Sequence, residues 1–133
     1  MNNDPLSQRA PYQVSAPRYS VSHQMATTAF ELPNFRVMQT LGVVRGIVVR
    51  SRSVFGQVGI KFQTFFGGQI SLLEDLCEET RAEAFAKAVE HARALGANAL
   101  IAVRYDATEI MPGVSEVLCY GTATRLAPQT RRV

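Results

Sequence analysis

The most constraining feature of this sequence is a helical pattern that runs from residue 71 to residue 95. Ser71 is placed to cap the helix, Glu74 completes a capping box three residues later, and Gly96 provides a left-handed stop. The following residues share one broad apolar face: Leu73, Cys77, Ala84, Phe85, Ala88, Val89, Ala92 and Leu95. At 1.5 Å per residue the helix spans roughly 37 Å, which exceeds the width of a compact domain of this length. Leu72 and Leu76 lie off the apolar face, so we expect this helix to contact a partner, most simply another copy of the chain.

Segments rich in β-branched residues predict the strands of a sheet. These segments are residues 35–49, 99–110 and 115–126. In the first, Gly42 or Gly46 predicts a bulge or a close approach of another backbone. Between the other two, Pro112 and Gly113 predict the turn of an antiparallel hairpin. Neither face of residues 117–124 is charged, so we expect this strand to be covered by helices on one side and by a neighbouring subunit on the other.

A second, shorter helix is predicted between the first strand and the long helix. Ser53 can cap it, and an apolar stripe continues to about Phe66, after which Gly67 and Gly68 break the helix. The sequence therefore predicts an α+β fold. We expect a small, mainly antiparallel sheet of three to four strands packed against two helices, one of them long.

The distribution of proline, glycine and charge predicts one domain with two appendages. Residues 1–24 are rich in Asn, Gln, Ser and Pro without a helical or strand period, and we expect a flexible arm. Residues 25–126 form the predicted domain, and residues 127–133 form a disordered basic tail that contains Arg131 and Arg132.

Composition excludes or disfavours several classes of protein. The net charge of +3 comes largely from the basic tail, so the nearly neutral body disfavours nucleic-acid binding. No apolar run reaches the roughly 18 residues of a membrane helix. Two cysteines cannot build a disulfide framework, which favours a reduced, cytoplasmic setting.

The residues that could carry chemistry are few and far apart. Cys77 and His91 lie 14 residues apart on the long helix, roughly 21 Å along its axis, so they cannot share one metal ion within a chain. Cys119 falls in the middle of an apolar strand. For each cysteine we favour a small buried side chain over a ligand. A metal site is expected only if Cys77, His91 or Cys119 of different subunits converge, and the absence of any catalytic motif predicts a protein that is not an enzyme.

Five short motifs resemble the YbjQ-like family in order and spacing. They are Thr27-Thr28, Leu32-Pro33-Asn34-Phe35-Arg36-Val37, Leu41-Gly42-Val43-Val44-Arg45-Gly46, Ala92-Arg93-Ala94-Leu95-Gly96-Ala97-Asn98-Ala99-Leu100-Ile101 and Tyr120-Gly121-Thr122-Ala123. The resemblance implies a dodecin-like domain that assembles into a homopentameric ring, and it brings the family's suggested activity, binding of a heavy-metal ion.

An alternative function is a multivalent interaction scaffold. A ring would present several copies of residues 1–24 and of the basic tail to a protein partner, and avidity would strengthen that contact.

Overall fold

The computed structural model describes residues 21–51 and 68–130. The elements in these ranges are a short 3₁₀ helix His23–Met25, strand β1 Phe35–Ser51, helix α1 Gly68–Ala94, strand β2 Ala99–Met111 and strand β3 Val114–Pro128. The three strands form one antiparallel sheet in the order β1-β3-β2. This confirms the predicted α+β class with a small antiparallel sheet. The helix predicted from Ser53 to about Phe66, residues 1–20 of the predicted arm and residues 131–133 of the predicted tail lie outside the described residues.

The long helix ends where the sequence predicts and begins earlier. Gly96 has a φ of +84°, its N–H donates to the carbonyl of Arg93 at 2.9 Å, and the N–H of Ala97 donates to that of Ala92 at 3.1 Å. These two bonds form a Schellman stop. The prediction of Ser71 as N-cap is wrong, because the helix already begins at Gly68. A capping-box pattern is local and also occurs inside a first turn, so it does not exclude an earlier start.

The hairpin between β2 and β3 matches the prediction. Met111 pairs with Val114 across the two-residue turn Pro112-Gly113, where Gly113 has a φ of +76°. The Gly113 N–H donates to Oε1 of Glu109 at 3.0 Å, which further fixes the turn. Strand β3 pairs with β2 through this hairpin and with β1 along its other edge, so it is the central strand of the sheet.

Small side chains bring α1 directly onto β1. Ala84, Ala88 and Ala92 are fully buried, and they pack in one core with Val44, Val48, Cys119 and Ala123. A Cβ placed on Gly46 would overlap the backbone carbonyl oxygen of Ala84 and lie 2.6 Å from the backbone nitrogen of Ala88. The predicted close approach at Gly46 is therefore confirmed. The alternative position, Gly42, marks a bulge, since it has a φ of +109° and the register of β1 shifts next to it.

Polar side chains of α1 bond to the backbone and side chains of the outer strand β1. Lys87 Nζ donates to the carbonyl oxygen of Ile47 at 3.0 Å, and the N–H of Arg45 donates to Nδ1 of His91 at 3.3 Å. Arg50 pairs with Glu83 at 2.7 Å. These bonds occupy part of the outer edge of β1, whose backbone groups would otherwise be free. Because free edge groups promote wrong strand pairing, the bonds protect this edge.

The first part of α1 has little cover within one copy. Its 27 residues span roughly 40 Å. Among its described side chains, burial begins at Thr80, and those from Ser71 to Glu79 are exposed or half-buried. Leu95, predicted on the apolar face, is 44% exposed just after the helix ends. No helix in the described ranges combines the length and apolarity of a membrane span.

Candidate functional site

The sheet has a face opposite α1 that carries apolar side chains in contact with solvent. Side chains alternate along β1, so Val44 and Val48 lie under the helix while their neighbours point to the other side. On that other side Val43 is 69% exposed, Ile47 40% and Val49 51%. We call this surface the open face, and the strand register assigns to it Val43, Arg45, Ile47, Val49, Arg104, Asp106, Thr108, Glu116, Leu118, Tyr120 and Thr122. Three apolar residues in contact with solvent on one strand are typical of a contact surface.

A shallow pocket of about 260 Å³ lies at one end of the open face. Its lining residues are Phe30, Val43, Ala102, Arg104, Tyr120, Gly121 and Thr122. Arg104 Nη1 donates to the carbonyl of Thr28 at 2.7 Å, and its guanidinium carbon lies 5.9 Å from the centroid of the Phe30 ring. The pocket is smaller than the roughly 300–1,000 Å³ of most small-molecule sites.

The residues before β1 hold this end of the sheet in shape. The N–H of Thr27 donates to the carbonyl of Leu100 at 3.0 Å, and the N–H of Ala102 donates to that of Ala29 at 2.8 Å. Ala102 has a φ of +54°, at a register shift between Ile101 and Arg104. The chain from Thr27 to Ala29 thus pairs with the outer edge of β2 and positions Phe30 beside the open face.

The structure does not bring the sequence-predicted metal ligands together. Cys77 is exposed on the first part of α1, while Cys119 is buried under the middle of α1, opposite Gly46 in the register. Among the described residues no three His, Cys, Asp or Glu side chains form a group that could hold a metal ion. The donors of a single copy, in this described part of the chain, therefore do not fit a heavy-metal ion.

The two cysteines differ in their surroundings. Burial raises the pKa of the Cys119 thiol, and a hydrogen bond from Tyr105 offsets this only in part. Burial and the same contact raise the pKa of Tyr105 to about 12, so both groups keep their protons near neutral pH. The interpretation of Cys119 as a buried side chain is confirmed. For Cys77 the same interpretation is wrong, because burial along α1 begins only at Thr80.

His91 acts as a backbone partner rather than as a free ligand. Its Nδ1 accepts the N–H of Arg45, which assigns the proton of the neutral ring to Nε2. In one copy this contact ties His91 to β1 and occupies its Nδ1. The sequence carries no local signal for this contact, since 46 residues separate the two partners.

We expect the two thiols to react at very different rates in the native protein. A thiolate attacks the disulfide of Ellman's reagent and releases a coloured thiolate, so the exposed Cys77 should react within minutes and the buried Cys119 only after denaturant is added. Absorbance of the released thiolate checks this, with Cys77→Ser and Cys119→Ser as assignment controls. Rapid reaction of Cys119 in the folded protein would contradict its burial.

The chain matches known proteins over most of its length. A family model described as "Putative heavy-metal-binding" (YbjQ_1) covers residues 24–127. A UPF0145 protein of Solibacter usitatus is 54% identical over 111 residues, which are 84% of this chain and 99% of that protein. A UPF0145 protein of Burkholderia thailandensis is 57% identical over 102 residues, 77% of this chain and 92% of that protein.

A solved structure shares the fold. It is a protein of unknown function from Pediococcus pentosaceus, assigned to the DUF74 family, and it aligns with a TM-score of 0.51 and 15% sequence identity over 77% of this chain and 96% of that one. The resemblance to the YbjQ-like family noted from the sequence is confirmed by the family match and by the relatives. The chain belongs to the YbjQ_1 family of UPF0145 proteins, whose description is "Putative heavy-metal-binding".

Proposed function

We propose that this protein works as a homo-oligomer in which a neighbouring copy covers the open face. The observation that supports this is strand β1, which is apolar on both sides: Val44 and Val48 are buried under α1, whereas Val43, Ile47 and Val49 are 69%, 40% and 51% exposed. Burial of apolar surface contributes about 25 cal/mol per Å² of favourable free energy. Association therefore gains most where it covers this apolar face. The poorly covered first part of α1 adds a second contact area.

Five copies in a ring is the assembly that we propose. The number is the one implied by the resemblance to the YbjQ-like family. A closed ring is compatible with a surface that differs from end to end, because each copy then contacts its neighbour in the same way. We propose a cytoplasmic protein without an enzymatic activity of its own, and the relatives named above carry no enzyme name.

Heavy-metal binding, the activity in the family description, is proposed here for the assembled protein only. The donors in the described part of one copy do not fit an ion, whereas an exposed thiol is a donor that soft cations prefer. Cys77 is that thiol, and donors from neighbouring copies would complete its coordination. Cys119 is excluded from this role by its burial and by its raised pKa.

Native mass spectrometry after anaerobic loading with Cd²⁺ tests the proposal in one experiment. We expect an assembly of about 73 kDa, which is five copies of 14.6 kDa, with bound Cd²⁺ that the Cys77→Ser variant loses and the Cys119→Ser variant retains. A mass of 14.6 kDa would contradict the assembly, and an assembly that retains no Cd²⁺ would contradict the metal-binding part alone.

A further inference from the structure

Within residues 21–51 and 68–130, the charged residues of the open face have no ion-pair partners, in contrast to several on the helix side. There Arg50 and Lys87 pair with Glu83 at 2.7 and 3.4 Å, and Arg93 pairs with Glu90 at 2.7 Å. Among the described residues, no ion pair joins charges on the open face. That face nevertheless carries two cations and two anions: Arg45, Arg104, Asp106 and Glu116.

These charges are separated along the strand direction. Arg45 and Arg104 lie on either side of Tyr120 in the register, which makes one end of the face basic. Glu116 lies between Val49 and Thr108, four residues before Tyr120 in β3 and roughly 14 Å from it. Arg45 and Glu116 are thus too far apart for direct pairing in one copy, whereas Asp106 lies only two residues from Arg104 on the same side of β2. The Arg45 end of one copy is complementary to the Glu116 end of another.

A partner that covers the apolar part of β1 must also cover Arg45. This residue lies between Val43 and Ile47 on the same side of the strand. A buried guanidinium without a partner is strongly destabilising, so the covering molecule has to supply acceptor oxygens at this position, and a carboxylate gives a stronger pair than a carbonyl. The chain carries suitable carboxylates on the same face, whereas the same acids would repel a phosphate backbone.

Glu116 is the carboxylate best placed to meet Arg45. It belongs to the central strand β3, is half-buried, and borders the exposed Val49, so it lies within the apolar part of the face. Asp106 belongs to β2, whose side chains from Arg104 onwards are exposed, and its shorter side chain reaches less far. The nearby Arg104 adds a second positive charge beside Tyr120, although its Nη1 is held by the carbonyls of Thr28 and Val103.

We infer that copies of this chain recognise each other through a head-to-tail ion pair, in which Glu116 near one end of the open face of one copy meets Arg45 near the opposite end of the open face of the next copy. This inference rests on the proposed homo-oligomer and adds the contact that selects another copy as the partner. The apolar residues around the pair exclude water and strengthen the attraction, while the pair sets the alignment of one copy on the next.

Charge reversal tests the pair directly. Arg45→Glu and Glu116→Arg should each raise the dissociation constant of the oligomer at least about tenfold, measured by sedimentation equilibrium of the full chain. The double variant Arg45→Glu/Glu116→Arg should recover most of that loss, because it restores opposite charges. Arg93→Glu, which breaks an ion pair on the helix side, is the matched control and should leave assembly unchanged.

The outcomes separate this inference from the proposed function. An oligomer that withstands both single reversals, or single losses that the double variant does not recover, would overturn the ion pair and leave the homo-oligomer in place. A wild-type chain that is monomeric would overturn both. Circular dichroism spectra of the variants identify any that fail to fold, and since both residues lie on the face away from the core, we expect native spectra. The melting midpoint should fall only where the oligomer dissociates.

Discussion

An alanine at position 46 is expected to destabilise the fold by about 3 kcal/mol and to lower the thermal midpoint of unfolding by about 10 °C. The new methyl group would overlap the carbonyl oxygen of Ala84 and lie 2.6 Å from both the backbone nitrogen of Ala88 and the Cβ of Lys87. Two of these three neighbours are backbone atoms of a helix, so they cannot rotate away. α1 has to move off β1 and give up contacts between buried side chains.

Gly42→Ala is the matched comparison for this effect. No atom lies within 4 Å of a Cβ placed on Gly42, and only its φ of +109° opposes a side chain. We expect a smaller loss of roughly 1–2 kcal/mol, due to backbone conformation alone. Thermal melts at one fixed protein concentration measure both variants, since assembly also raises the apparent stability. A Gly46→Ala chain as stable as the wild type would contradict the close packing of α1 on β1.

A glutamate at position 47 is expected to dissociate the oligomer without unfolding the chain. Ile47 lies opposite Leu118 near the middle of the open face, and it points away from the core under α1. In the assembly its replacement would bury a carboxylate among apolar side chains. Because an unpaired buried charge costs several kcal/mol, we expect the dissociation constant to rise at least about 100-fold, as measured by light scattering of a dilution series.

Leu95→Glu is the control for the Ile47→Glu variant. Leu95 is 44% exposed, close to the 40% of Ile47, but it follows the end of α1 instead of lying on the sheet. We expect this chain to assemble like the wild type. Equal dissociation of the two variants would show that added charge, rather than the location on the open face, weakens the assembly.

The parts of the fold that depend on local chemistry could be predicted from the sequence. Gly96 permits the left-handed residue of a Schellman stop, and Pro112-Gly113 permits a two-residue turn, so both boundaries follow from a few adjacent residues. Gly46 was recognisable because glycine inside a strand often marks a close approach of another backbone. The start of α1 was not recognisable, since Ser71 and Glu74 imitate a cap inside a longer helix.

The candidate site depends on contacts between distant segments, and the sequence revealed less of it. The exposure of Cys77 depends on how far the sheet extends under α1. The role of His91 depends on its contact with Arg45, which is 46 residues away in the sequence. The two-sided apolar character was predicted for β3 but not for β1, although Val43, Val44, Ile47, Val48 and Val49 of β1 occupy both of its faces. That Arg45 and Glu116 lie on the same face, near its opposite ends, becomes visible only from the strand register.

Sedimentation velocity of the wild-type chain over a range of about 1 to 100 μM tests most directly whether another copy completes this protein. We predict one dominant species whose mass is a multiple of the 14.6 kDa chain. In that species a neighbouring copy covers the apolar sheet face that would contact water in a monomer. A single species of 14.6 kDa across the whole range would contradict the account, because the open face would then be stable in solvent without a partner.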